Sequence, residues 1–158
     1  MTVWEAIATG FDGGFVPLGP RGLGTGPLEA RELAWREERV WAVLRGLGPH
    51  TWGGDCESSI EPFAQRTFAE LSAGAQSVVL LMRALVGRPQ LVLLDEVWAG
   101  MDDGMVRAAR AYLRSADGVG AEQAVVVVSH WEDEVPWGVE DGVKRFRLEG
   151  GVGTWVQP

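Results

Sequence analysis

The most constraining stretch of the chain is residues 71–102, LSAGAQSVVLLMRALVGRPQLVLLDEVWAGMD. Ser72 stands where a helix N-cap belongs, and the residues from 73 to 86 carry helical apolar spacing. Gly87 then supplies a C-terminal stop and Pro89 cannot continue the helix. Residues 91–94 form a short continuous apolar run that ends in Asp95-Glu96. A run of that kind, bounded by a helix stop and a charged pair, reads as a strand buried on both faces of a parallel sheet. Residues 124–128, AVVVV, form a second such run ending in Ser129-His130, and residues 103–115 between them read as a helix. Strand, helix and strand at this spacing make a right-handed βαβ crossover. The stretch therefore commits the chain to an α/β fold.

The remaining segments are arranged around that unit. Residues 2–10 predict a short helix, with Thr2 and Glu5 spaced as a capping box and Gly10 as its end. Residues 11–26 are too rich in Gly and Pro for regular structure and read as a loop. Residues 27–47 predict a helix with Pro27 in its first turn and Gly48-Pro49 after its end. Its apolar stripe is Leu33, Val40, Trp41, Leu44 and Leu47. Residues 49–60 read as a loop and 61–69 as a turn or more of helix. Residues 143–148 and 152–156 alternate about Glu149-Gly150-Gly151, the pattern of a C-terminal β-hairpin. The division expected is a helical, loop-rich part over 1–70 and an α/β part over 71–158.

With 158 residues the chain has enough length for one ordinary core. A net charge of −8, a single lysine (Lys144) and scattered arginines leave no basic surface for nucleic acid. Cys56 is the only cysteine, so no internal disulfide forms and a reducing, cytoplasmic setting is expected. No apolar run reaches the length of a membrane span, and the N-terminus lacks the positive region of a secretory signal. Direct membrane insertion is not expected.

Two parallel strands each ending in polar groups form a natural ligand site, because ligands of open α/β sheets bind at the carboxyl ends of strands. Asp95 can hold a Mg²⁺ shell through water, and Glu96 can orient or deprotonate an attacking water. His130 can reach the same point from the neighbouring strand. Each of these pieces alone is more readily an ordinary strand end.

In order and spacing, however, residues 66–132 resemble the second half of an ABC-type ATPase nucleotide-binding domain. Residues 71–76 (LSAGAQ) look like the signature motif, and 91–96 (LVLLDE) like the Walker B strand with its glutamate. Residues 99–102 (AGMD) look like the D-loop, and His130 like the switch histidine. The N-terminal TVWEAIATGF resembles the segment after the Q-loop in molybdenum-transport and photorepair-associated ATPases. The resemblance implies a partial P-loop NTPase (RecA-like) sheet with an N-terminal helical subdomain, and ATP and Mg²⁺ as cofactors. It implies Asp95 at the metal, and Glu96 and His130 as catalytic residues. It implies Ser72, Gly74 and Gln76 at the nucleotide of a partner, and Asp102 as a link across a dimer. Another ABC ATPase domain, in a homo- or heterodimer, is the partner implied.

The departures from that pattern carry expectations of their own. No GxxxxGK[ST] occurs in the sequence, and the glycine-rich residues 22–26 lack a lysine. Walker A backbone and lysine hold the β- and γ-phosphates, so the chain alone is expected not to hydrolyse ATP. It is compatible with a fragment of a longer product, with a degenerate relative, and with a noncatalytic module that donates its signature helix in trans. Ala73 and Ala75 alter the signature, and Val97 stands where proline is common. In the family's sheet the Walker A strand lies beside the strand of the switch histidine. Residues 125–128 are thus expected at an open edge, making the chain aggregation-prone or dependent on a partner.

Overall fold

The computed structural model describes residues 1–12, 30–53, 60–130 and 134–156. The expected loops over 13–26 and 54–59, including the glycine-rich 22–26, lie outside the described residues, as does the start of the second helix. Helix α1 is Val3–Ala8, and the Thr2–Glu5 capping box is formed in both directions. A 3-10 turn over Thr9–Asp12 follows it, so residues 11 and 12 are helical rather than loop. Helix α2 is Ala30–Leu47 and α3 is Ile60–Gln65. Helix α4, Ala73–Val86, is capped by the Ser72 side chain. Strand β1 (Leu91–Asp95), helix α5 (Asp103–Arg114) and strand β2 (Ala124–Val128) form the βαβ unit. Strands β3 (Arg145–Glu149) and β4 (Val152–Val156) form the hairpin. Gly150 and Gly151 both have positive φ, 56° and 80°, which is what a tight two-residue hairpin turn requires.

Helix α4 sits at the centre of the packing. It buries Val78, Val79, Leu81, Met82, Leu85 and Val86 against α1, α2 and α5. One hydrophobic cluster joins these to Val3 and Ile7 of α1, Val43, Leu44 and Leu47 of α2, Val92 and Leu94 of β1, and Leu113 of α5. Arg39 of α2 is buried with them, its Nε donating to the carbonyl of Val86 at 3.2 Å. A cation at this place meets the last carbonyls of α4, where the helix dipole is negative. Leu33, expected on the apolar stripe of α2, is instead 53 % exposed. There it lines an open pocket together with Trp4, Ala8 and Phe11.

Strands β1 and β2 pair in parallel, with Leu91 opposite Ala124 and Asp95 opposite Val128. The reading of β1 as buried on both faces is corrected here. Val92 and Leu94 are buried, but Leu91 and Leu93 are 52 % and 68 % exposed, and Val126 and Val128 of β2 follow them at 48 % and 55 %. Side chains alternate across a strand, and among the described residues helices cover one face only. Strand β2 pairs with β1 alone, so its far edge is open among the described residues.

Candidate functional site

The parallel register brings the ends of β1 and β2 together. The backbone N–H of Glu96 donates to the carbonyl of Val128 at 3.1 Å, which extends the ladder one residue past β1. Beyond that bond the Glu96 carboxylate meets His130 Nε2 at 2.8 Å. Both side chains are solvent-facing, 59 % and 79 % exposed. A contact this open to water is worth only ~0–1 kcal/mol. Glu96 also has a positive φ of 44°, rare for a residue with a Cβ and costing about 1–2 kcal/mol. That conformation breaks the strand sharply and turns the chain into the segment 97–102. Asp95, the last residue of β1, is exposed beside it.

The N-terminus of α4 lies on the other side of that turn. Ser72 is exposed, and its hydroxyl accepts the N–H of Ala75 at 3.3 Å. The earlier amides of the first turn have no acceptor within the helix. Gln76 is tied locally, its side-chain amide donating to the carbonyl of Leu71 at 3.1 Å. Gly74 is buried rather than presented to solvent. A Cβ placed there would lie 2.3 Å from the Gly100 carbonyl and 3.0 Å from Met101 Cα, so the helix and the 97–102 turn touch backbone to backbone. Ser77 Oγ adds a bond to the Ala99 carbonyl at 2.9 Å. Asp102 ends the turn by capping α5, its carboxylate accepting from Met105 N at 2.9 Å.

The structure thus brings Glu96 and His130 into contact and sets Asp95 beside them. It places Ser72, Gly74 and Gln76 on α4, with Asp102 across the Gly100 turn. The donor set fits a Mg²⁺ ion held through water by one or two carboxylates and a phosphate, since that ion does not demand an all-protein cage. No group of three or more His, Cys, Asp and Glu suited to a metal occurs among the described residues.

Two participants carried no sequence signal. Trp98, which reads as packing, is buried and donates Nε1–H to the Glu134 carbonyl at 2.9 Å. The Glu134 carboxylate accepts from Ser129 Oγ. Away from the site, burial pushes the Tyr112 phenol above its ordinary pKa, against the lowering pull of Arg39.

No protein-family model matches the chain. It is 36% identical over 95 residues to an ABC transporter ATP-binding protein of Schizosaccharomyces pombe, covering 60% of this chain and 18% of that one. It is 37% identical over 68 residues to the zinc uptake system ATP-binding protein of Listeria innocua, covering 43% and 26%. It is 31% identical over 75 residues to the spermidine/putrescine import ATP-binding protein of Legionella pneumophila, covering 48% and 20%. The chain spans less than a third of the length of these curated relatives. Among solved structures, a metal-chelate type ABC transporter in an inward-facing conformation shares the fold with a TM-score of 0.62 at 16% identity. That match covers 99% of this chain and 52% of the transporter chain. Over about half its length, then, the chain is homologous to ABC transporter ATP-binding proteins, and its fold is that of an ABC ATPase fragment. No helix among the described residues is long and apolar enough to cross a membrane.

Proposed function

We propose that this chain, as the C-terminal portion of an ABC-type ATPase domain, contributes half of an ATP site that another ABC ATPase domain completes. The observation that carries the reading is the meeting of Glu96 and His130 at 2.8 Å across the ends of two adjacent parallel strands. Glu96 acts as the general base on the attacking water, and His130 contacts the terminal phosphate. Asp95 would hold Mg²⁺ through water, and the ion would supply positive charge against the phosphates. Ser72 and the open amides of the α4 N-terminus meet the terminal phosphate of ATP held by the partner, because that end of a helix attracts anions. Gln76 and Asp102 flank this contact on either side of the Gly100 turn. The setting proposed is cytoplasmic.

Hydrolysis by the chain alone is not part of the proposal, because its sequence contains no GxxxxGK[ST]. The same fact favours a second reading, a noncatalytic module that offers its α4 N-terminus in trans to a complete ATPase. A mixing assay tests both against a plain α/β domain. Added to a complete ABC ATPase domain from the same cells, the chain raises ATP turnover, and Ser72→Arg abolishes the increase. If Glu96→Gln in the chain also lowers the turnover, the hydrolytic reading is favoured; if it has no effect, the binding module is. No stimulation by the wild-type chain contradicts both.

A further inference from the structure

We propose that Trp98 is a positioning residue that holds His130 against Glu96. The inference deepens the ATP-site reading above, and rests on it for its functional meaning. The Glu96–His130 contact cannot hold itself. Both side chains are exposed, 59 % and 79 %, and water and salt weaken such a pair. A catalytic pair must nevertheless be kept to a fraction of an ångström, which requires support from buried neighbours.

That support comes from residues 134–136. Trp98 lies two residues after Glu96, is 9 % exposed, and donates Nε1–H to the Glu134 carbonyl at 2.9 Å. The Glu134 carboxylate in turn accepts from the hydroxyl of Ser129, the residue before the histidine. Beyond Glu134 the same segment is fastened to α5. Arg110 Nη2 donates to the Val135 carbonyl at 3.3 Å and Arg114 Nη1 to the Pro136 carbonyl at 2.9 Å. Beyond the Glu96 N–H to Val128 carbonyl bond, the chain leaving β1 and the chain leaving β2 are therefore joined twice through side chains. The outer join is the exposed Glu96–His130 pair. The inner join runs from Trp98 through Glu134 to Ser129. Because Glu96 and Trp98 are two residues apart, and so close to His130 through Ser129, moving the inner join moves the outer one. A bulky indole beside the acidic pair is thus a donor with a defined acceptor, as well as packing.

The test uses the chain as it is and needs no nucleotide. The sequence has two histidines, His50 and His130, so the imidazole signals are assignable from one His50→Gln variant. In the wild-type chain, nuclear Overhauser cross-peaks connect the His130 ring to the Glu96 side-chain methylenes. Trp98→Phe keeps an aromatic ring, though a smaller one, and removes the donor; it reduces these cross-peaks by roughly half or more, as does Ser129→Ala. Trp155→Phe, in the distant hairpin, leaves them unchanged. If Trp98→Phe does not fold, Ser129→Ala carries the same expectation. Unchanged cross-peaks in folded Trp98→Phe and Ser129→Ala overturn the proposal. Failure of the mixing assay would instead remove the ATP reading and leave this positional result standing.

Discussion

Gly74 and the Gly100 turn approach each other backbone to backbone beside the site, and Gly74→Ala tests this. On an exposed helix the change would stabilise, because alanine exceeds glycine in helix propensity by about 1 kcal/mol. Here the added Cβ falls 2.3 Å from the Gly100 carbonyl oxygen, 2.9 Å from Met105 Sδ and 3.0 Å from Met101 Cα. Met105 can rotate away, but the two backbone atoms cannot without moving the turn that follows Glu96. Overpacking of this kind costs about 1–3 kcal/mol, which offsets and exceeds the propensity gain. The net expectation is a loss of about 1 kcal/mol, and near 2 kcal/mol if the turn resists movement. For a chain of this size that lowers the thermal midpoint by about 2–8 °C. Urea unfolding followed by circular dichroism gives the free energy, and a thermal scan gives the midpoint. A midpoint equal to or above wild type would refute the backbone contact. It would also free Gly74 for a role in phosphate approach alone.

Other consequences follow from burial and from the open edge. Leu85→Ala, at a fully buried position of α4, costs about 2–5 kcal/mol in urea unfolding, and a loss below 1 kcal/mol contradicts the central place of that helix. Tyr112 is the only tyrosine, so phenolate absorbance reports it alone. Its pKa is raised in the fold, chiefly by burial, so the stability it contributes is intact below the ordinary value of 10.0 and is lost as pH rises through the folded value. The absorbance midpoint therefore lies above that of free tyrosine, and Tyr112→Phe flattens the alkaline fall in stability; a midpoint at or below the ordinary value counts against the burial argument. Leu93 and Val126 lie opposite each other on the uncovered sheet face, so Leu93→Lys with Val126→Glu, an opposite-charge pair, reduces self-association in light scattering without lowering the thermal midpoint. A wild-type chain that stays monodisperse at high concentration removes that argument.

Much of the fold was legible because local chemistry decided it. The Thr2–Glu5 capping box, the Ser72 cap and the Gly150-Gly151 turn each use groups a few residues apart, and each is formed. The βαβ unit was legible from two apolar runs with a helical spacing between them. What those runs could not show is whether both faces are covered. A continuous apolar strand looks the same whether or not a second layer of helices lies on it, and Leu91 and Leu93 turn out exposed. Leu33 misled for a related reason, since a stripe predicts a face and says nothing of whether a partner reaches its end. At the site, the adjacency of Glu96 and His130 followed from parallel strands of matched length. The bond from Trp98 to Glu134 did not, because it joins residues 36 apart through a side chain whose aromatic character suggested only packing. The resemblance places Asp102 between subunits; within this chain its carboxylate also caps α5.

In the proposed arrangement the ATP site is shared, with the phosphate-holding loop supplied from outside these residues. Calorimetric titration of Mg-ATP into the purified chain tests it most directly. No micromolar binding by the chain alone is expected, because it carries Asp95, Glu96 and His130 at the strand ends without a GxxxxGK[ST] loop to hold the phosphates. Micromolar affinity of the lone chain for Mg-ATP would contradict it.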